Sequence, residues 1–208
     1  MVGGRFISLE GGEGAGKSTQ LRRLADALRA RGREVVETRE PGGSPGAEAI
    51  RALLLEGEPD RWTPEAEALL FAAARADHVA RNIRPALARG AWVLSDRFLD
   101  SSLAYQGGAG GVGAQAIRAL HAIGSGGLLP DRTLLLELPA AAAAGRAGDR
   151  DRGAADRIGG READYHAEVA AAFAALAAEE PARFRRIDAS GAPEAVTERL
   201  LGAIADLS

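Results

Sequence analysis

Short apolar or mixed runs alternate along this chain with longer stretches rich in alanine and leucine. The short runs predict strands at 5–10, 34–39, 91–96, 132–138 and 184–188. Turn residues flank several of them: Gly32 precedes the second, Gly90 the third and Pro130 the fourth. The longer stretches predict helices at 17–31, 47–55, 64–89, 113–123, 140–146, 161–179 and 193–206. Strands that alternate with helices predict an α/β fold, a parallel sheet covered on both faces. No repeat and no linker composition divides the 208 residues, which read as one domain. The glycine-rich stretches 107–113 and 124–127 read as loops. Segment 145–160 carries Arg146, Arg150, Arg152 and Arg157 among glycines and aspartates, and reads as exposed and mobile.

With 46% hydrophobic residues the chain can bury a sizeable core, and 26% charged residues can clothe it. A net charge of −3 argues against a nucleic-acid or acidic-membrane binder, and leaves room for a local basic pocket. The absence of cysteine excludes disulfides, thiol catalysis and cysteine-built zinc sites, and fits a reducing, cytoplasmic setting. No run approaches the ~20 apolar residues of a membrane span. The N-terminal apolar run turns polar at Glu10, too early for a signal peptide. Lys17 is the only lysine; every other basic residue is arginine.

That lysine sits in Gly11-Gly12-Glu13-Gly14-Ala15-Gly16-Lys17-Ser18, a match to G-x-x-x-x-G-K-[ST] between a predicted strand and a predicted helix. Glycines let backbone N–H groups converge on phosphate oxygens, and the helix N-terminus adds a favourable partial charge. Lys17 offers a compact ammonium to the β- and γ-phosphates, where a guanidinium would be larger and planar. Ser18 can ligate Mg²⁺. The competing reading is a plain glycine-rich turn before a helix. A GTPase would need N-K-x-D for guanine, which a single P-loop lysine forbids, and a motor-type ATPase would need more chain. A small kinase remains.

Further landmarks are Thr38-Arg39-Glu40-Pro41-Gly42-Gly43, Leu70-Phe71-Ala72-Ala73-Ala74-Arg75, Ser95-Asp96-Arg97-Phe98, and Asp100 through Gly107. Asp156-Arg157-Ile158 and Ile187-Asp188-Ala189 are weaker. In this order the sequence resembles the thymidylate kinase family from Phe6 to about Val196. The resemblance implies a five-stranded parallel sheet, ATP with Mg²⁺, dTMP as acceptor, and a homodimer. Competing readings are another nucleotide or nucleoside kinase, and a catalytically silent P-loop module that regulates a partner.

The resemblance also implies roles. Gly11 to Thr19 would hold ATP, and Ser18 and Asp96 the metal. Arg39 would contact the acceptor phosphate, and Arg97 would sit between acceptor and donor phosphates. Phe71 would stack on thymine and Arg75 meet its carbonyl edge, with Arg51 in the same pocket. Ser102 and Gln106 would meet the base's polar edge, Tyr105 would underlie the deoxyribose, and Glu13 would accept from the 3′-hydroxyl. Some family members carry an arginine at the Gly14 position; this chain resembles those that bring cations from a lid at about 145–160. Catalysis is therefore expected from Lys17, Arg97, Arg150, Arg152 and Arg157. A glutamate often follows Asp-Arg-Ile in relatives, and here Gly159 replaces it, which leaves open what anchors that segment. Each residue has a plainer reading: strand-end ion pair for Arg39 and Arg97, core aromatic for Phe71, exposed helix charge for Arg51, solvent-facing carboxylate for Glu13. The Glu40-Pro41 bond is expected to be cis. His78, His121 and His166 lack metal-ligand spacing and read as surface or helix-packing residues. Trp62 and Trp92 read as packing residues.

Overall fold

The computed structural model describes residues 3–58, 60–138 and 157–207. Five strands, β1 (Phe6–Glu10), β2 (Val35–Arg39), β3 (Trp92–Asp96), β4 (Arg132–Glu137) and β5 (Phe184–Asp188), form one sheet in the order β2-β3-β1-β4-β5. Every pairing is parallel. The helices are α1 (Lys17–Ala30), α2 (Pro45–Leu55), α3 (Pro64–His78), α4 (Arg84–Ala88), α5 (Leu99–Ser102), α6 (Ala114–Ser125), α7 (Ala163–Glu179) and α8 (Pro193–Ala203).

Alternation along the strands divides the core into two layers. Ile7, Leu9, Trp92, Leu94, Leu134 and Leu136 pack with Leu24 and Leu28 of α1 and Leu200 of α8. Phe6, Val93 and Leu135 face the other way, against Val79, Leu103 and Phe173. On that second face β1 continues with Ser8 and Glu10, both fully buried. Ser8 bonds the Thr133 hydroxyl at 3.1 Å, and Thr133 donates to Asp100 at 2.9 Å. Arg183 closes this buried network on Asp100.

Three expectations need correction. The helix predicted at 64–89 is continuous but changes winding: α3 passes into a π-helical stretch, Val79–Ile83, before α4. Pro85 explains the change. It has no N–H for the carbonyl four residues back, and the Arg84 N–H instead bonds Val79 O. Residues 107–109, read as loop, belong to a second π-helical stretch, Leu103–Ala109, which continues α5. Glycine weakens a helix on local grounds, but a Cβ on Gly108 would lie 3.0 Å from Ala172 of α7. α6 also runs to Ser125, past the predicted end, and closes on left-handed Gly126. The helix expected at 140–146 lies outside the described residues. No described helix is long and apolar enough to cross a membrane.

Candidate active site

The site lies at the carboxyl ends of β1 and β3, adjacent parallel strands, where open α/β sheets place ligands. The loop after β1 turns sharply at Gly11, whose φ is 134°. A Cβ there would stand 2.3 Å from Leu136 O, so only glycine lets the loop pass β4. Left-handed Gly16 precedes the first residue of α1, Lys17. The Lys17 ammonium donates to Gly11 O at 3.1 Å and Gly12 O at 2.7 Å, which holds it inside the loop. One residue on, the Ser18 hydroxyl donates to Asp96 Oδ2 at 2.7 Å, tying α1 to the end of β3.

Arg97 follows β3 with φ 71°, the one left-handed non-glycine residue among those described. Its N–H bonds Leu9 O at 3.0 Å, and Ser95 Oγ donates to its carbonyl at 2.7 Å. These bonds turn the side chain back across the phosphate loop. There NH1 donates to Gly11 O at 3.1 Å and Ser101 Oγ at 3.0 Å, and NH2 donates to Glu13 at 2.7 Å. Ser101 in turn donates to buried Glu10.

A cleft of about 230 Å³ opens beside this loop. It is lined by Glu13, Arg39, Arg51, Phe71, Arg75, Arg97, Ser102, Tyr105 and Gln106, together with Lys17, Ser18 and Asp96. Phe71 and Arg75 come from one face of α3. Arg75 is buried and pinned: Nε donates to Glu40 Oε2 at 2.7 Å, and NH2 to Ser102 Oγ at 2.7 Å. Glu40 Oε1 meets His78 Nδ1 at 3.0 Å. Arg39 is exposed and bonds Glu48, while Arg51 donates to Pro41 O at 2.6 Å across the cis Glu40-Pro41 bond.

The electrostatics follow from burial. Burial, then the neighbouring Arg97 charge, lowers Lys17 from its usual 10.5 to about 8. Burial, then the charge of Asp100, raises Glu10 from 4.5 to about 8. Burial works to raise Glu13, but Arg97 and Lys17 outweigh it, and its pKa is lowered. Burial likewise opposes the Arg97 charge, and surrounding Tyr105, Glu13, Glu10 and Asp96 outweigh it, holding Arg97 above its ordinary value. The cradle thus presents cations where phosphates would lie.

One expected placement changes. Arg157, grouped by sequence with the catalytic cations, is buried: it bonds the Glu67 carboxylate and donates to Leu54 O at 2.9 Å. A buried carboxylate needs a cation, and Glu67 takes this one. Arg150 and Arg152 lie outside the described residues. Of the two readings open for His78, surface or packing, the second holds: it is fully buried between Glu40 and Thr38. Glu67 carried no signal in the sequence, because its partners Gln106, Arg157 and Arg161 are remote in the chain. Glu40 was visible as a landmark, but its hold on Arg75 was not.

A parallel sheet of this order, a phosphate loop after β1 and an arginine-rich cleft beside it define a P-loop kinase for a small phosphorylated acceptor. The thymidylate kinase family model matches residues 9–200. The thymidylate kinase of Rhizorhabdus wittichii is 65% identical over 204 residues, 98% of each chain. That of Caulobacter vibrioides is 54% identical over 197 residues, 95% of this chain and 94% of the other. The crystal structure of thymidylate kinase from Ehrlichia chaffeensis superposes with a TM-score of 0.79 at 27% identity, covering 97% of this chain and 99% of that one. This chain belongs to the thymidylate kinase family, the enzymes that phosphorylate dTMP to dTDP with ATP.

Proposed function

We propose that this chain transfers the γ-phosphoryl of ATP to dTMP with the following division of labour. The observation that carries it is the position of Arg97. Its backbone places one guanidinium against both the phosphate loop, at Gly11 O, and the acceptor cleft, at Ser101 and Glu13. A nucleoside monophosphate ionises a second time near pH ~6, so its attacking oxygen needs no general base at neutral pH. That oxygen forms a bond to the γ-phosphorus as the bond to the β,γ-bridging oxygen breaks, and ADP leaves with the electron pair. What the protein must supply is alignment and positive charge.

Loop N–H groups from Gly11 to Thr19 and the Lys17 ammonium hold the donor phosphates. Arg97 spans donor and acceptor, and Arg39 reaches the acceptor phosphate by exchanging Glu48 for it. With glycine at position 14, the remaining charge comes from Arg150 and Arg152. Phe71 stacks on the base, Arg75 donates to its carbonyl, Tyr105 crowds the 2′ position, and Glu13 accepts from the 3′-hydroxyl. Ser18 and Asp96 would hold Mg²⁺: they offer two oxygens side by side, and this cation takes few protein ligands, keeping water and phosphate for the rest. When bound, the ion would neutralise charge on the triphosphate. A cytoplasmic homodimer belongs to the same reading; exposed Leu69 of α3 and Ile123 of α6, on packed helices, support the dimer.

The test is kcat/KM for a panel of acceptors at fixed ATP and Mg²⁺. The expected order is dTMP, then dUMP, with dCMP, AMP and GMP poor. If AMP or GMP outranks dTMP, the acceptor assignment is wrong and a different monophosphate kinase is the better reading.

A further inference from the structure

Glu67 is a buried carboxylate that takes no part in the phosphate chemistry. It stands on α3, one turn before Phe71, and its side chain is 3% exposed. Three groups converge on it. Oε1 accepts from Gln106 Nε2 at 3.0 Å, while Oε2 accepts from Arg161 NH2 at 2.7 Å and from Arg157. Two guanidinium groups thus pair with this one carboxylate inside the protein.

A carboxylate offers only lone pairs, whereas the amide of glutamine has a donor end and an acceptor end. The end of Gln106 that meets Glu67 is therefore the NH₂. Its carbonyl oxygen is the end left for the cleft, which Gln106 also lines. Gln106 is itself buried, so water cannot easily stand in for either partner. Arg75, locked by Glu40 and Ser102, contributes only donors to the same pocket. The pocket thus sets one fixed acceptor beside one fixed donor.

We propose that Glu67 is a specificity-determining positioning residue: by holding the Gln106 NH₂ it turns the Gln106 carbonyl oxygen toward the acceptor base, and so selects a base whose N3 carries a proton. This rests on the base-site reading given above. Thymine and uracil present N3–H beside a carbonyl, the complement of Gln106 Oε1 and Arg75. Cytosine presents a bare N3 beside an amino group and faces both partners with the wrong polarity. Glu67 touches no substrate; it acts through Gln106.

Glu67→Gln makes the test sharp. Arg157 and Arg161 would draw the new carbonyl oxygen, leaving an NH₂ toward Gln106. The Gln106 amide should then flip and offer its own NH₂ to the cleft. The ratio of kcat/KM for dTMP to that for dCMP should fall by about 5-fold or more. The ratio for dTMP to dUMP, which share N3–H, should stay within about twofold. A general loosening would lower all three acceptors together. If the folded variant keeps the dTMP-to-dCMP ratio, the proposal is overturned. If the unsubstituted enzyme itself shows no preference for dTMP over dCMP, the base-site reading fails and takes the proposal with it.

A second measurement needs no substitution at Glu67. In nitrogen–proton spectra of the nucleotide-free protein, the Gln106 side-chain amide, assigned by its loss in Gln106→Leu, should exchange slowly with deuterated solvent. Exchange as fast as that of exposed amides would show that Glu67 does not hold it, and would also overturn the proposal.

Discussion

Arg97 NH2 donates to Glu13 Oε1 at 2.7 Å, so the arginine that lies across the phosphate loop is already paired before any phosphate arrives. The Glu13 side chain is 55% exposed, so an incoming phosphate can reach this contact and take its place. What holds Arg97 more firmly is its backbone and the NH1 bonds to Gly11 O and Ser101. A lysine has no fork to reach these partners and a phosphate at once. Arg97→Lys should therefore lower kcat by ~10²-fold, with a smaller change in the KM for dTMP. Steady-state kinetics decide this, and a kcat within about threefold of the original would contradict the bridging role.

Lys17 links the donor site to pH. With its pKa lowered to about 8, the empty site holds an ammonium at pH 7 and mostly a neutral amine at pH 9. Triphosphate binding favours the ammonium, so ATP should bind with proton uptake that grows above pH 8. Its affinity should weaken there, by up to ~10-fold per pH unit. Calorimetry in buffers of different ionisation enthalpy measures the uptake. Lys17→Ala should abolish it, stay folded, and cut turnover by ~10²-fold or more. Proton uptake that persists in the alanine variant would assign the titration elsewhere.

Two adjacent glycines should respond differently to alanine. Gly11→Ala combines a φ of 134° with a Cβ 2.3 Å from Leu136 O. Strain of ~1–3 kcal/mol plus the clash should depress Tm by at least ~5 °C. A Cβ on Gly12 would meet nothing within 4 Å, so Gly12→Ala should melt within ~2 °C of the original. Equal Tm values for the two variants would mean that the loop does not pass Leu136 as described.

Glu10 makes a testable contribution to stability. Its pKa is near 8 in the folded protein against 4.5 ordinarily, so between those values the native state binds a proton that the unfolded chain has released. Its contribution is fully present below about pH 4.5 and is lost as pH rises through about 8. Urea unfolding without nucleotide should show this loss, at most ~1.4 kcal/mol per pH unit. Glu10→Gln has no proton to lose and should flatten the profile across that window. An unchanged pH profile in the variant would mean another group titrates.

The five strands and the phosphate loop were legible because their signals are local. A short apolar run between turns, or glycines before a lysine and a helix, states its own conformation. Segments where distant chain decides the outcome read less well. Residues 107–109 begin with two glycines and read as loop, yet they continue a helical stretch, Leu103–Ala109, against which α6 and α7 pack. The winding change at 79–83 traces to Pro85, a local signal that marked no break in a run otherwise helical throughout.

By itself the sequence determined the α/β class, the glycine-rich loop at Gly11–Ser18 between a strand and a helix, and, through the order of its landmarks along the chain, the family. These are properties of short windows and of their succession. Only the tertiary structure decided what each charged side chain faces. It set Arg97 over the loop, fixed Arg75 on Glu40, and paired Arg157 with Glu67, 90 residues earlier. The reason is that a buried charge takes whatever partner the packed fold brings within reach, and a linear chain does not state which surfaces will close over it.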